Sequence, residues 1–149
     1  MIFGRGVQNG VMRGGGGPLV YFDNTYWTGI SNISWDGDSW LETGFDAFIM
    51  YPAGSWKIGF RPSTMRISYD VIAVDTYGPG FALRDANNQI IGDTGIIAAN
   101  HALGSYVTDM ALSFVSGSPG GDIDIFRDTQ DAGPHYYDKV DITNIEFIP

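Results

Sequence analysis

Residues 104–149 read GSYVTDMALSFVSGSPGGDIDIFRDTQDAGPHYYDKVDITNIEFIP, and they decide the fold class. Over 106–115, Tyr106, Met110, Leu112 and Phe114 share one parity, and Val107, Asp109, Ala111 and Ser113 share the other. A period of two marks a strand with one buried and one wet face. The segment SGSPGG at 116–121 cannot continue it, because proline removes a donor and glycine surrenders backbone order. Residues 122–127 then alternate Asp122 and Asp124 against Ile123 and Ile125. The closing strand starts with Val140 and Ile142 on one parity and continues with Ile145 and Phe147 on the other. A parity switch inside one strand predicts a β-bulge near Thr143 and Asn144. These three strands are expected at the centre of the fold.

The preceding chain extends the pattern. Residues 18–23, a short segment around 30–35, 39–43, 45–51 and 56–60 read as strands, with an Asp36-Gly37 turn after the second. Both faces of 45–51 are apolar, as in a strand central to a sandwich or covered by another chain. Residues 64–75 form the longest strand by pattern, with Met65, Ile67, Tyr69 and Val71 inward and Arg66, Ser68 and Asp70 outward. Residues 81–84 and 89–92 form a hairpin, and 95–103 is one turn or a loop. Many short strands at regular turn spacing, without an amphipathic helix or internal repeat, predict an all-β, antiparallel two-sheet sandwich.

Size and charge narrow the role. The 149 residues suit one domain with a core of its own, and the 21 glycines are about twice average usage. A formal charge of −9, from 8 basic and 17 acidic side chains, argues against nucleic acid as a direct partner. No cysteine is present, which excludes disulfides and thiolate metal sites and fits a reducing cytoplasm. The sequence shows neither the apolar core of a secretion signal nor a membrane-spanning run, so a soluble protein with no membrane partner is expected.

Residues 1–17 read as an extended arm, and 18–149 as the body. The arm holds Gly14–Gly17 and two cations, Arg5 and Arg13, ahead of the first acid at Asp23. Ordering such a run costs roughly 1–2 kcal/mol of backbone entropy per residue, so either the protein's own surface or a partner must hold it, and the few apolar anchors in the arm favour a partner. Phe3, Val7 and Met12 are the arm's apolar anchors, and Arg5 and Arg13 suit either an acidic neighbouring subunit or a solvated tail.

The order of pieces adds a resemblance. NTYWTGISNISWDGDSW at 24–40 precedes MRISYDVIAVDTYGPGFALRDANNQII at 65–91, then GSYVTDMALSFVSG, DIDIFRD and YYDKVDITNIEF. Over residues 19–148 this resembles the jelly-roll sandwich of galactose-binding-like domains and carbohydrate-binding modules. Similar domains occur as capsid decoration, head-fibre and tail components of tailed bacteriophages. Tyr137-Asp138-Lys139-Val140-Asp141-Ile142 looks like the closing strand of that family, with Lys139 where Asn is usual. The resemblance implies a jelly roll and two roles. The first is a virion structural protein, assembled in the host cytoplasm, that binds the major capsid protein or neighbouring subunits as a homo-oligomer such as a trimer. The second is a module that binds glycans.

Candidate chemistry follows from residue types. Two histidines, His101 and His135, lie in no nucleophile motif, and the acid pairs are those of any acidic protein, so a non-enzymatic role is expected. Trp27, Trp35, Trp40 and Trp56, with Tyr26, Tyr136 and Tyr137, could stack on pyranose rings, Tyr26, Trp27, Trp35 and Trp40 being the clustered set, with core or interface packing as the competing role. Asp122 and Asp124 share a strand face and supply hard oxygen ligands for Ca²⁺, against the alternative of solvated loop acids. The resemblance adds Asp138 as a carboxylate for a structural Ca²⁺.

Overall fold

The computed structural model describes residues 18–44, 49–52, 60–84, 89–113, 123–125 and 137–149. Its strands are β1 (Leu19–Val20), β2 (Trp27–Gly29), β3 (Ile33–Trp35), β4 (Trp40–Glu42), β5 (Ile49–Pro52), β6 (Thr64–Ala73), β7 (Phe81–Arg84), β8 (Ile90–Asp93), β9 (Gly104–Ala111), β10 (Ile123–Ile125) and β11 (Lys139–Ile148). A 3₁₀ turn, Ala98–Asn100, lies before β9. The predicted arm, 1–17, lies outside the described residues.

Two sheets form. The first runs β3-β4-β11-β6-β9, with β1 also on β11, and the second runs β2-β5-β10-β7-β8. Neighbouring strands are antiparallel throughout both sheets. From β4 onward the chain pairs first with last: β4 with β11, β5 with β10, β6 with β9 and β7 with β8. The sheets share one core. Met65, Ile67, Tyr69, Val71, Val140, Ile142, Ile145 and Phe147 come from the first, and Trp27, Phe81, Leu83 and Ile91 from the second. The arrangement is all-β and sandwich-like.

The alternation in β6 and β11 explains this core. Met65, Ile67, Tyr69 and Val71 are buried on one parity, as expected from their spacing. In β11 the buried side chains are Val140 and Ile142, then Ile145 and Phe147, and the register against β6 shifts between Ile142 and Asn144. The extra residue turns a second apolar pair inward, where an unbroken strand would face it to solvent. Burying each such side chain contributes about 1.5–3 kcal/mol.

One expectation is corrected. β10 and β11 are interior to their sheets, but β9 is the outermost of the described strands of the first sheet, and β6 takes the inner place. β6 pairs along its length with both β11 and β9. Period fixes which face of a strand is buried but not which strands neighbour it.

β2 is a further difference, because only the segment around 30–35 reads as a strand in this region. Trp27–Gly29 joins the second sheet and Ile33–Trp35 the first, so the chain crosses between sheets from Gly29 to Ile33. Asn32 takes a left-handed φ of 55° in this crossing. Gly29 permits the close approach: a Cβ there would stand 2.5 Å from the Ile33 carbonyl oxygen. The Asp36-Gly37 turn is as expected, with Gly37 at φ 102° and the Asp36 carboxylate accepting from the backbone N–H of Asp38 and Ser39.

Candidate functional site

Trp27 and Trp40, two of the clustered aromatics expected as a stacking platform, are core residues, 1% and 2% exposed, and Tyr137 is buried as well. Their indoles face inward because each ring N–H has a backbone acceptor there: Trp27 donates to the Tyr21 carbonyl at 2.9 Å and Trp40 to that of Phe22 at 2.6 Å. The two bonds pin the strand end after β1 across the core. Trp35 is half-buried, edge-on to Phe22 and tilted 55° from Trp40, so these rings pack obliquely rather than forming a flat shelf. Tyr26 is half-buried with its ring edge against Tyr21 at 4.6 Å. Burial raises the Tyr21 and Tyr26 phenols above the ordinary tyrosine range. Trp56 and Tyr136 lie outside the described residues.

Asp138 is the second place of interest. Its side chain is wholly buried beside the start of β11. One oxygen accepts the Asp75 backbone N–H at 2.7 Å, and the other meets His101 Nδ1 at 2.8 Å. Its own N–H donates to the Tyr77 carbonyl, next to the parallel bridge between Tyr77 and Tyr137. The carboxylate thus ties three separate segments together: the exit from β6, the loop before β9 and the entry to β11. In sequence His101 is an ordinary loop histidine, and no spacing links it to an acid 37 residues away.

This environment does not fit a calcium ligand. Both oxygens of Asp138 already take protein N–H donors, and its neighbour is an imidazole rather than the oxygen-rich shell Ca²⁺ requires. Asp124 lies in β10 opposite Ile49 and Ala82, and Asp122 lies outside the described residues. Among the described residues, no group of three or more His, Cys, Asp or Glu side chains is placed to hold a metal ion. The arm residues Phe3, Arg5, Val7, Met12 and Arg13 lie outside the described residues.

The outer face of the first sheet carries the third feature. Asp141 of β11 stands directly opposite Asp70 of β6, and Asp70 accepts a 2.6 Å bond from Ser105 of β9. Two rows away on the same face, beyond Ser68 and Val107, Arg66 grips Asp109 with two bonds of 2.7 and 2.8 Å, which hold the Asp109 carboxyl below the usual range. Burial pushes Asp141 the other way, upward, and the charges of Asp36, Asp70 and Asp38 add to it against a bond from Ser39. Raised in the fold, Asp141 binds its proton more tightly there than in the unfolded chain. Its contribution therefore favours folding in acid, declines as pH rises from an unfolded value of about 3.9, and is flat above the folded value. Asp141→Asn is expected to stabilise the protein at neutral pH by about 0.2–1 kcal/mol, the worth of opposed like charges on a sheet. Urea denaturation should show that gain at pH 7, and a smaller one near pH ~3 where the wild-type carboxyl is protonated.

Large apolar side chains are exposed at one end of the body. Ile72 and Val74 leave β6, Tyr77 follows, and Ile96 and Leu103 lie in the loop before β9; Leu103 is 67% exposed. Val71 pairs with Gly104, so the exit from β6 and the entry to β9 are neighbours, and the Ile97 N–H bonds the Pro79 carbonyl. The half-exposed His101 lies in the same loop. No helix among the described residues is long and apolar enough to cross a membrane. No family model matches the chain, and no match was found among curated proteins or solved structures.

Proposed function

We propose that the chain is a structural protein that acts by assembly: a jelly-roll virion component of the decoration or accessory kind, localised to the particle. First-with-last pairing of the eight strands β4 to β11 supports the jelly roll, since it is what rolling up one long antiparallel ribbon produces. The observation that carries assembly is the exposure of Ile72, Val74, Tyr77, Ile96 and Leu103 on two neighbouring segments, the exit from β6 and the loop before β9, because exposed apolar groups on adjoining segments suit a protein partner. The resemblance over residues 19–148, the glycine-rich arm with its two arginines and the excess of acids over bases support a virion setting. The partners on this reading are the major capsid protein or neighbouring subunits, with Phe3, Arg5, Val7, Met12 and Arg13 as the arm's contacts. Glycan binding is weakened by the burial of Trp27 and Trp40.

Mass spectrometry of particles purified from the system that encodes the chain tests this reading. The expected result is a fixed copy number relative to the major capsid protein. Its absence from particles, with the protein abundant in the same cells, would overturn it.

A further inference from the structure

Among the described residues, β9 is an edge strand of the first sheet. Leu112, just past its end, donates its N–H to Ser63 on the β6 side at 2.9 Å. In an antiparallel ladder successive residues point their backbone groups to opposite sides. The β9–β6 register is unbroken, so Tyr106, Thr108 and Met110 bond β6 while Ser105, Val107 and Asp109 point their N–H and C=O groups away from it. Ser113, next in that outward series, donates to Ile91 of the second sheet at 2.7 Å. Among the described residues, no strand pairs with β9 on this side. Val107 is 61% exposed on the same strand. An open edge of this length with an exposed valine is a template for another strand.

We propose that this edge binds a second copy of the chain, β9 against β9, antiparallel about a two-fold axis at Val107. The edge is complementary to itself, since the outward N–H and C=O groups of Ser105, Val107 and Asp109 can pair with the same three residues of a second copy, and local charge sets the register. The protein carries a formal −9, so two copies meet best where charge is already matched. Asp109 is the one charged residue of β9, and Arg66 of the same protomer neutralises it. Centring on Val107 sets each Asp109 opposite an uncharged residue, Ser105, and packs valine on valine. Centring on Asp109 would oppose two carboxylates, which destabilises a sheet. Centring on Ala111 would need the Ser113 N–H already given to Ile91. In the Val107 register the outward groups of Ser105, Val107 and Asp109 all find partners, and the two first sheets become continuous. This specifies the homo-oligomeric contact of the assembly reading as two-fold, rather than the trimer expected from the resemblance.

The test uses the full-length protein and its lack of native cysteine. Val107→Cys places one thiol from each copy at the axis, where a hydrogen-bonded strand pair separates Cα atoms by about 5.5 Å, within disulfide range. Mild oxidation is expected to convert most of this variant to a covalent dimer, whereas Ser34→Cys, on β3, should convert little. Val107→Lys should reduce the light-scattering mass of the wild-type dimer to that of a monomer, with an unchanged circular dichroism spectrum. A monomeric wild type together with Val107→Cys that stays reduced would overturn the proposal. So would a dimer that Val107→Lys leaves intact. If the dimer forms but the chain is absent from particles, the virion reading fails and this contact stands.

Discussion

Phe147→Ala is expected to cost about 3–5 kcal/mol, the range for emptying a large buried aromatic site. Phe147 is fully buried in β11. It sits opposite Met65 of β6 and Leu19 of β1, with the Tyr21 ring 6.1 Å away. Collapse around the lost ring is limited, because β11 is held by β6 on one side and by β4 and β1 on the other. Against a total stability of about 5–15 kcal/mol for a typical domain, the change removes a large share of the fold. Urea denaturation at pH 7 measures it, and a cost below ~1 kcal/mol would place Phe147 outside the core, contrary to the β11 register.

Asp138→Ala has the next largest expected effect, about 1–3 kcal/mol, mainly from the Asp75 N–H left without its acceptor, since the half-exposed His101 can bond water instead. The Asp75 N–H and the His101 imidazole both lose their acceptor. Because the carboxylate links segments distant in sequence, the change should also loosen the loop before β9. Amide exchange in residues 98–104 should therefore quicken more than in β6. Equal quickening across both regions would mean that Asp138 contributes only to global stability.

The faces of the long strands are legible in the sequence because alternation is local. Met65 to Val71 show their inward parity directly, and the change of parity between Ile142 and Ile145 is enough by itself to locate the bulge. Neighbour relations are not legible in this way. β9 has as clean an alternation as β6, yet lies at the edge while β6 lies inside, since pairing depends on distant strands. β2 escapes a reading by period because three residues, Trp27–Gly29, are too few to show one. The direction of Trp27 and Trp40 rests on the Tyr21 and Phe22 carbonyls, which no side-chain pattern announces. Resemblance makes Asp138 a cation ligand, whereas its neighbours in space are the donors of Asp75 and His101.

Amide hydrogen exchange at Val107 in the full-length protein, followed against protein concentration, tests assembly through the β9 edge most directly. The outward amides of Ser105, Val107 and Asp109 should become more protected as concentration rises, while the β6-facing amides of Tyr106 and Thr108 stay equally protected throughout. Outward amides that exchange at one rate across the whole concentration range would contradict the account, whether that rate is fast or slow.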